Sequence, residues 1–264
     1  MEYFGYCSSI LIGVSLGLIG GGGSILTVPV LVYIFGMDAA TATVYSLFIV
    51  GITSTVGSVS YFRKGLVNLK TALVFGIPSV VGVFLTRVYL VPAIPDPVLT
   101  TGTYIVTKHI LLMLLFAVLM VAASFSMIKK VIVISNNTVA GSSFNHPLIL
   151  IQGFAVGIIT GLIGAGGGFM IIPALVFMLK LPMKEAIGTS LLIIAANSLL
   201  GFFSSANHVA VHWVFLFTIA AFAIAGIFIG MRLSKNIDGA KLKPAFGWFV
   251  LVMGVLILVK ELLL

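Results

Sequence analysis

The chain has 264 residues, of which 61% are hydrophobic and 8% charged, whereas a soluble domain has about 25% charged residues. Its 14 Lys and Arg against 6 Asp and Glu give a net charge of +8, and its mean hydropathy is +1.29. Continuous apolar runs of about 20 residues recur along the chain, which is typical of transmembrane helices. This composition excludes a soluble enzyme and argues against a transmembrane β-barrel, whose strands alternate in polarity.

The predicted elements of the first half run in order from an apolar stretch to a glycine cluster and on to three spans. The first stretch, without a basic region or cleavage site, is predicted to be a retained helix rather than a signal peptide. The predicted ranges are 4–20, the glycines at 20–23, a short stretch at 24–36, and spans at about 39–62, 66–87 and 107–128. The single cysteine, Cys7, excludes an internal disulfide.

The second half repeats the first with a shift of 144 residues. The halves align without a gap from Gly13 to Phe84, so that aligned glycines, prolines and serines recur. The corresponding ranges are 147–164, 168–180, 183–206, 209–232 and 243–263. The chain is therefore predicted to comprise a first transmembrane repeat at 1–128, a cytoplasmic linker at 129–145 and a second repeat at 146–264.

The glycine clusters determine the predicted topology. Four consecutive glycines, Gly20 to Gly23, should end a helix, since each costs about 1 kcal/mol relative to Ala. The flanking stretches then form either one broken helix that crosses once or a hairpin that returns to its own side. A single crossing divides the 14 basic residues 6 against 8, whereas the hairpin divides them 11 against 3. The positive-inside rule favours the hairpin, which predicts inverted repeats with both termini outside the cytoplasm.

Each cluster precedes the predicted N-terminus of a short helix, at about Ser24 and Gly168. Helix N-termini carry unpaired N–H groups and partial positive charge, so two such ends meeting within the membrane would bind a small anion. The alternative is that the glycines only permit close helix packing. The candidate anion-binding backbone belongs to Gly22, Gly23, Ser24, Gly166, Gly167 and Gly168.

Polar side chains on the following spans are candidate substrate ligands. The best placed are Ser46, Thr189, Ser190 and Asn197, of which Asn197 is the most costly to bury without a partner. The alternative for the hydroxyl groups is a hydrogen bond to their own helix. No predicted span centre carries a carboxylate, so a carboxylate proton relay is not expected.

Two histidines provide a different hypothesis. His208 and His212 are four residues apart, so one helix face would present both to a metal ion, although the metalloprotease glutamate is missing. A cation or metal transporter and a non-transporting assembly factor therefore remain alternatives. No nucleotide-binding loop or catalytic serine motif is present, so neither an enzyme nor a cofactor is expected.

Both glycine motifs resemble those of the TauE/SafE family of sulfite exporters. The matching residues are Leu18 to Ser24 with Pro29, Gly161 to Gly168 with Pro173, and Ala186 to Leu191. The first repeat departs from the last segment at Val44 and Tyr45. The resemblance implies a multi-pass transporter of sulfite or small organosulfur anions in the bacterial inner membrane.

The resulting interpretation is an all-α integral membrane protein with two inverted repeats, each a re-entrant helix pair plus three transmembrane helices. Its function would be secondary transport of a small sulfur-containing anion. The expected partners are that anion and the lipid bilayer, not nucleic acid, and a homo-oligomer is left open. Replacing Gly22 or Gly167 with leucine is predicted to abolish flux without preventing folding.

Overall fold

The computed structural model describes residues 2–95, 99–101, 104–128, 146–206, 209, 211–235 and 237–263. The described part is helical apart from one short hairpin, in which strands β1 (Leu99–Thr101) and β2 (Tyr104–Val106) pair antiparallel. The helices are α1 (Glu2–Ile19), α2 (Ser24–Pro29), α3 (Ala39–Arg63), α4 (Leu69–Leu85), α5 (Val91–Ala93), α6 (Lys108–Ile128), α7 (His146–Ile163), α8 (Ile171–Pro173), α9 (Met183–Ser205), α10 (Trp213–Lys235) and α11 (Gly239–Leu263). The predicted linker 129–145 lies outside the described residues.

Irregular turns extend several of these helices. A 3-10 turn joins α1 to α2, and a second, Ala165–Met170, precedes α8. One turn of π-helix follows each of α2, α4 and α8. Through its π turn, Thr86–Leu90, α4 continues into α5, so this apolar segment ends at Ala93 rather than at the predicted residue 87.

Polar residues set two of the helix starts. Asp38 precedes α3 and its carboxylate accepts a hydrogen bond from the Thr41 backbone N–H at 2.8 Å. Asn68 does the same for α4, accepting from the Thr71 backbone N–H at 3.0 Å. Each side chain satisfies an N–H group that has no partner within its helix.

The first helix pair doubles back on itself. A Cβ on Gly5, near the start of α1, would overlap the ring of Phe35, which follows the π turn after α2. A broken helix that continued in one direction would place these residues at opposite ends. The chain therefore reverses at the glycine cluster, as the hairpin interpretation requires.

Helices at equivalent positions of the two halves run in opposite directions. Gly51 of α3 lies beside Leu199 of α9, whereas Gly57 lies beside Leu191, so α3 and α9 are antiparallel. The same relation holds between α6 and α11, because Gly247 meets Met127 and Gly254 meets Met120. Opposed directions are what inverted repeats predict, and the orientation of either half to a bilayer stays a prediction.

Two parallel helix pairs connect the halves. On α1 and α10, Gly13 meets Ala223 and Gly17 meets Ile227, and on α4 and α7, Gly153 meets the carbonyl of Phe75. The two pairs are equivalent in the repeat, since α1 corresponds to α7 and α10 corresponds to α4. The first helix of each half is therefore packed against the other half.

Four of the six predicted spans are matched in both length and apolar character. They are Ala40–Arg63, Leu69–Ala93, Met183–Ser205 and Trp213–Lys235, each long and apolar enough to cross a membrane. The helices α3 and α9 are the most buried of these. Large apolar side chains such as Phe203, Val214 and Phe217 are exposed on the outside, where a bilayer would cover them.

Candidate functional site

Each glycine cluster contains one residue whose backbone conformation interrupts the helix, and the two residues occupy equivalent positions in the repeats. Gly20 has a φ of +69° and Gly164 a φ of +87°, and the two residues are related by the repeat. Residues that carry a side chain rarely adopt this backbone conformation, so glycine is strongly favoured at both positions. The α2 helix begins at Ser24 as predicted, whereas α8 begins at Ile171, three residues after the predicted start at Gly168.

The two glycine turns touch each other. A Cβ on Gly21 would lie 2.5 Å from the carbonyl oxygen of Gly168 and 2.7 Å from Ile194 Cδ1. A Cβ on Gly168 would lie 3.3 Å from Ser24 Oγ. At this junction the backbones of the two halves are in contact, and Ile194 of α9 packs against both glycines. Four other predicted anion ligands lie within these turns: Gly22, Gly23, Gly166 and Gly167.

The hydroxyls of Ser46 and Ser190, which were predicted to donate to the anion, are bonded to their own helices. The hydroxyl of Ser24, a residue predicted to bind through its backbone, is bonded to the turn before α2. Ser24 Oγ donates to the Gly21 carbonyl at 2.6 Å, Ser46 Oγ to Thr43 at 2.7 Å and Ser190 Oγ to Ile187 at 2.8 Å. This is the alternative that the sequence left open for hydroxyl groups. Ser190 nevertheless lies at the break, since a Cβ on Gly20 would be 3.0 Å from its Oγ.

Thr189 contacts the other half of the chain. Its Oγ1 accepts a hydrogen bond from the Asn68 backbone N–H at 3.0 Å, at the start of α4. The equivalent residue, Tyr45, accepts through its hydroxyl from the His212 backbone N–H at 2.7 Å, at the start of α10. The departure of the first repeat at Tyr45 thus keeps a hydroxyl in the same role.

Asn197 is buried and only partly satisfied. Its Nδ2 donates to Ser79 Oγ at 2.8 Å, and its Oδ1 has no hydrogen-bond partner. Ser190, Ile194 and Asn197 follow at helical spacing along one face of α9, the face that meets the glycine turns. Because Ser79 Oγ can either donate or accept, rotating the amide keeps this contact and turns Nδ2 toward the unsatisfied position.

Arg87 is the residue that sequence reasoning missed, because it was counted only as a basic residue at a span end. It lies in the π turn after α4, and its Nε and Nη2 are buried without a hydrogen-bond partner. A Cβ on Gly164 would lie 2.6 Å from Arg87 Nη2. A cation with two free donors therefore lies against the break of the second repeat.

Of the predicted histidine pair, only His212 lies within the described residues. His208 lies outside the described residues, and the His212 side chain is exposed before α10. Within the described ranges, no group of three His, Cys, Asp or Glu residues is placed to hold a metal ion.

A basic cleft lies where α3 and α10 end. It has a volume of about 550 Å³ and is lined by Ser60, Lys64, Phe228, Met231, Arg232 and Lys235. Partial burial lowers the pKa of Lys64, and the charge of Lys235 lowers it further. Three cations at one cleft attract small anions from solution.

The chain resembles proteins named as probable membrane transporters along most of its length. Residues 6–257 match the family described as Sulfite exporter TauE/SafE. The chain belongs to the TauE/SafE family. A relative from Xylella fastidiosa, named a probable membrane transporter protein, is 29% identical over 94% of this chain and 91% of its own.

Two further relatives carry similar names. The probable membrane transporter protein YdhB of Bacillus subtilis is 26% identical over 94% of this chain and 96% of its own. The probable membrane transporter protein MJ0441 of Methanocaldococcus jannaschii is 37% identical over 40% of this chain and 42% of its own. No solved structure matches the chain. This TauE/SafE chain is thus a helical membrane protein whose relatives are named as transporters.

Proposed function

We propose that this TauE/SafE protein is a secondary transporter of a small sulfur-containing anion, sulfite or an organosulfonate, in the bacterial inner membrane. The observation that carries the proposal is the contact between the two glycine turns, Gly21 against Gly168. Family membership supports the substrate class, since the family is described as sulfite exporters.

The glycine turns supply the chemistry that an anion needs. Each begins at a residue with positive φ and continues as a 3-10 turn, whose first N–H groups have no carbonyl partner within the turn. Such N–H groups bind oxyanions, and the absence of side chains lets the anion approach the backbone. Since the serine hydroxyls donate to their own helices, we assign the main role to the backbone and a supporting role to Asn197.

The opposed halves supply a route for movement. The first helix of each half is packed on the other half, and the glycine turns meet between them. A site held by both halves changes its accessibility when one half moves against the other, as in other inverted-repeat transporters. Two hydrogen bonds, between Tyr45 and His212 and between Thr189 and Asn68, connect the halves, and such a motion would strain or break them.

The test is flux of labelled sulfite, sulfate and methanesulfonate into liposomes that contain the purified protein. Saturable uptake of sulfite or methanesulfonate is expected, and the effect of a pH gradient then identifies proton coupling. Gly22→Leu and Gly167→Leu should abolish this flux in protein that still inserts and purifies. Ala221→Leu, at an exposed position of α10, is the matched control and should transport normally.

The proposal is overturned if none of the three anions crosses faster than in empty liposomes. Normal flux in both glycine variants would instead remove the glycine turns from the pathway while leaving an anion transporter.

A further inference from the structure

We infer that Arg87 is the residue that binds the charge of the transported anion, at the break of the second repeat. This inference rests on the proposed function and adds a specific ligand to it. Neither the family description nor the names of the relatives assigns a role to this residue.

The two unpaired donors of Arg87 are the pair suited to an oxyanion. Nε and Nη2 lie on one edge of the guanidinium group, and that edge forms two parallel hydrogen bonds to two oxygens of one anion. Both atoms are buried and without a partner. Sulfite and sulfonates present three oxygens on one sulfur, so two of them fit this edge.

The burial of Nε and Nη2, in a side chain that is partly exposed as a whole, argues against a role at the lipid surface alone. Arginine side chains near a span end commonly extend toward water or lipid phosphate. Here Nη2 is turned inward, because it lies against the Cα of Gly164 within the break. Any residue other than glycine at 164 would place a Cβ on Nη2, so this glycine also preserves the space beside the cation.

An unpaired buried cation is costly. A charge taken out of water destabilises the fold unless a partner compensates it. A purely structural arginine would have its donors satisfied by carbonyl or carboxylate groups. The missing partner is therefore best explained by an anion that is present only during part of the transport cycle.

The site is present in only one of the two repeats. Continuing the shift of 144 residues past Phe84 pairs Arg87 with Met231, which is buried and cannot bind an anion, and the next residue, Arg232, is exposed. Around Gly20, the equivalent break, the nearest side chains are Ser190, Ile187 and Ile172, none of which is charged. We therefore expect one anion for each chain.

The experiment measures anion binding to purified protein by labelled sulfite and by thermal unfolding across a panel of sulfite, methanesulfonate, sulfate, phosphate and nitrate. Arg87→Gln should weaken sulfite binding at least about tenfold, since a charge-assisted pair of hydrogen bonds is lost. Arg87→Lys keeps the charge without the two-pronged edge and should fall between. Arg63→Gln, an exposed arginine in the last turn of α3, is the matched control and should bind normally.

Thermal unfolding without ligand separates a binding role from a structural one. Removing an uncompensated charge should leave the melting temperature of Arg87→Gln equal to or above that of the wild type. Ligand should raise the wild-type melting temperature but not that of the variant. A lower ligand-free melting temperature together with unchanged sulfite affinity would overturn the inference. If Arg87→Gln does not fold, wild-type affinity in Arg87→Lys would overturn it equally.

The outcomes also separate this inference from the proposed function. Sulfite binding that persists in Arg87→Gln removes Arg87 but leaves the sulfur-anion transporter. Binding of phosphate or nitrate alone, lost in Arg87→Gln, overturns the sulfur substrate and supports Arg87. No binding of any anion by the wild type overturns both.

Discussion

Asn197 carries two polar groups into a buried position, and only one of them has a partner. Its Nδ2 is bonded to Ser79, whereas its Oδ1 faces no donor on the face of α9 that meets the glycine turns. A residue held only for stability would have both groups satisfied. The pair Asn197 and Ser79 therefore allows the structural and the transport roles to be measured separately.

Ser79→Ala should lower the free energy of unfolding by about 1–3 kcal/mol, because it leaves Asn197 Nδ2 unpaired in a buried place. Sulfite flux should persist, since the amide remains available to the anion. Asn197→Ala should lower both stability and flux. Melting temperature and liposome flux of the two variants test this, and equal flux in both would remove Asn197 from the pathway.

Lys64 provides a pH-dependent test of the basic cleft. Burial and the neighbouring charge of Lys235 lower its pKa, so its amine loses its proton at a lower pH than an ordinary lysine does. Only the neutral amine reacts with acylating reagents. Acetylation of Lys64, followed by mass spectrometry, should therefore begin at a lower pH in the wild type than in Lys235→Gln. Identical pH profiles would show that the two cations do not interact.

At the scale of helices, small residues connect the halves. On α1 and α10, Gly17 and Gly230 let the two backbones touch, because a Cβ on either would overlap the main chain of the other helix. Close approach of this kind at small residues is a common mode of helix association in membranes. Packing was the alternative explanation for the two glycine clusters, and it is the role observed at these separate glycines of α1 and α10.

Gly230→Ala should therefore destabilise the protein by about 1–3 kcal/mol, as overpacking does. Helix propensity alone predicts the opposite sign, since alanine favours a helix by about 1 kcal/mol over glycine. The control is Gly65→Ala, where φ is +67° and an added Cβ would have no neighbouring atom within 4 Å. Only a backbone cost of about 1 kcal/mol is therefore expected. Thermal unfolding in detergent measures both, and a stabilised Gly230→Ala protein would contradict the contact.

The sequence predicted the elements of this fold better than their partners. Spans follow from apolar length, and the repeat locates both breaks, so α3, α9 and the glycine clusters lie close to where they were expected. Thr189 shows the limit, because periodicity predicts which face carries a hydroxyl but not which distant N–H group it meets. Arg87 shows it again, since a basic residue at a span end looks like a topology signal until the burial of its donors is known.

At the scale of the whole molecule, the directions of the helices bear on topology. If each helix pair at a glycine cluster crossed the membrane once, α3 would be the second crossing and α9 the sixth. The two helices would then run in the same direction. The observed antiparallel pair, Gly51 beside Leu199, agrees with hairpins that return to their own side. From the charge distribution we predict that the ends of α3 and α10, with the basic cleft, lie in the cytoplasm.

Accessibility of single cysteines tests that orientation. On a Cys7→Ser background, Lys64→Cys and Tyr89→Cys place one exposed thiol at either end of the segment from α4 to α5. A membrane-impermeant maleimide added to spheroplasts should label the thiol at position 89 and leave the one at position 64 unmodified, because 11 of the 14 basic residues then face the cytoplasm. Both should react after the membrane is disrupted, which controls for buried thiols. The reverse pattern would invert the predicted topology and place the basic cleft outside the cytoplasm.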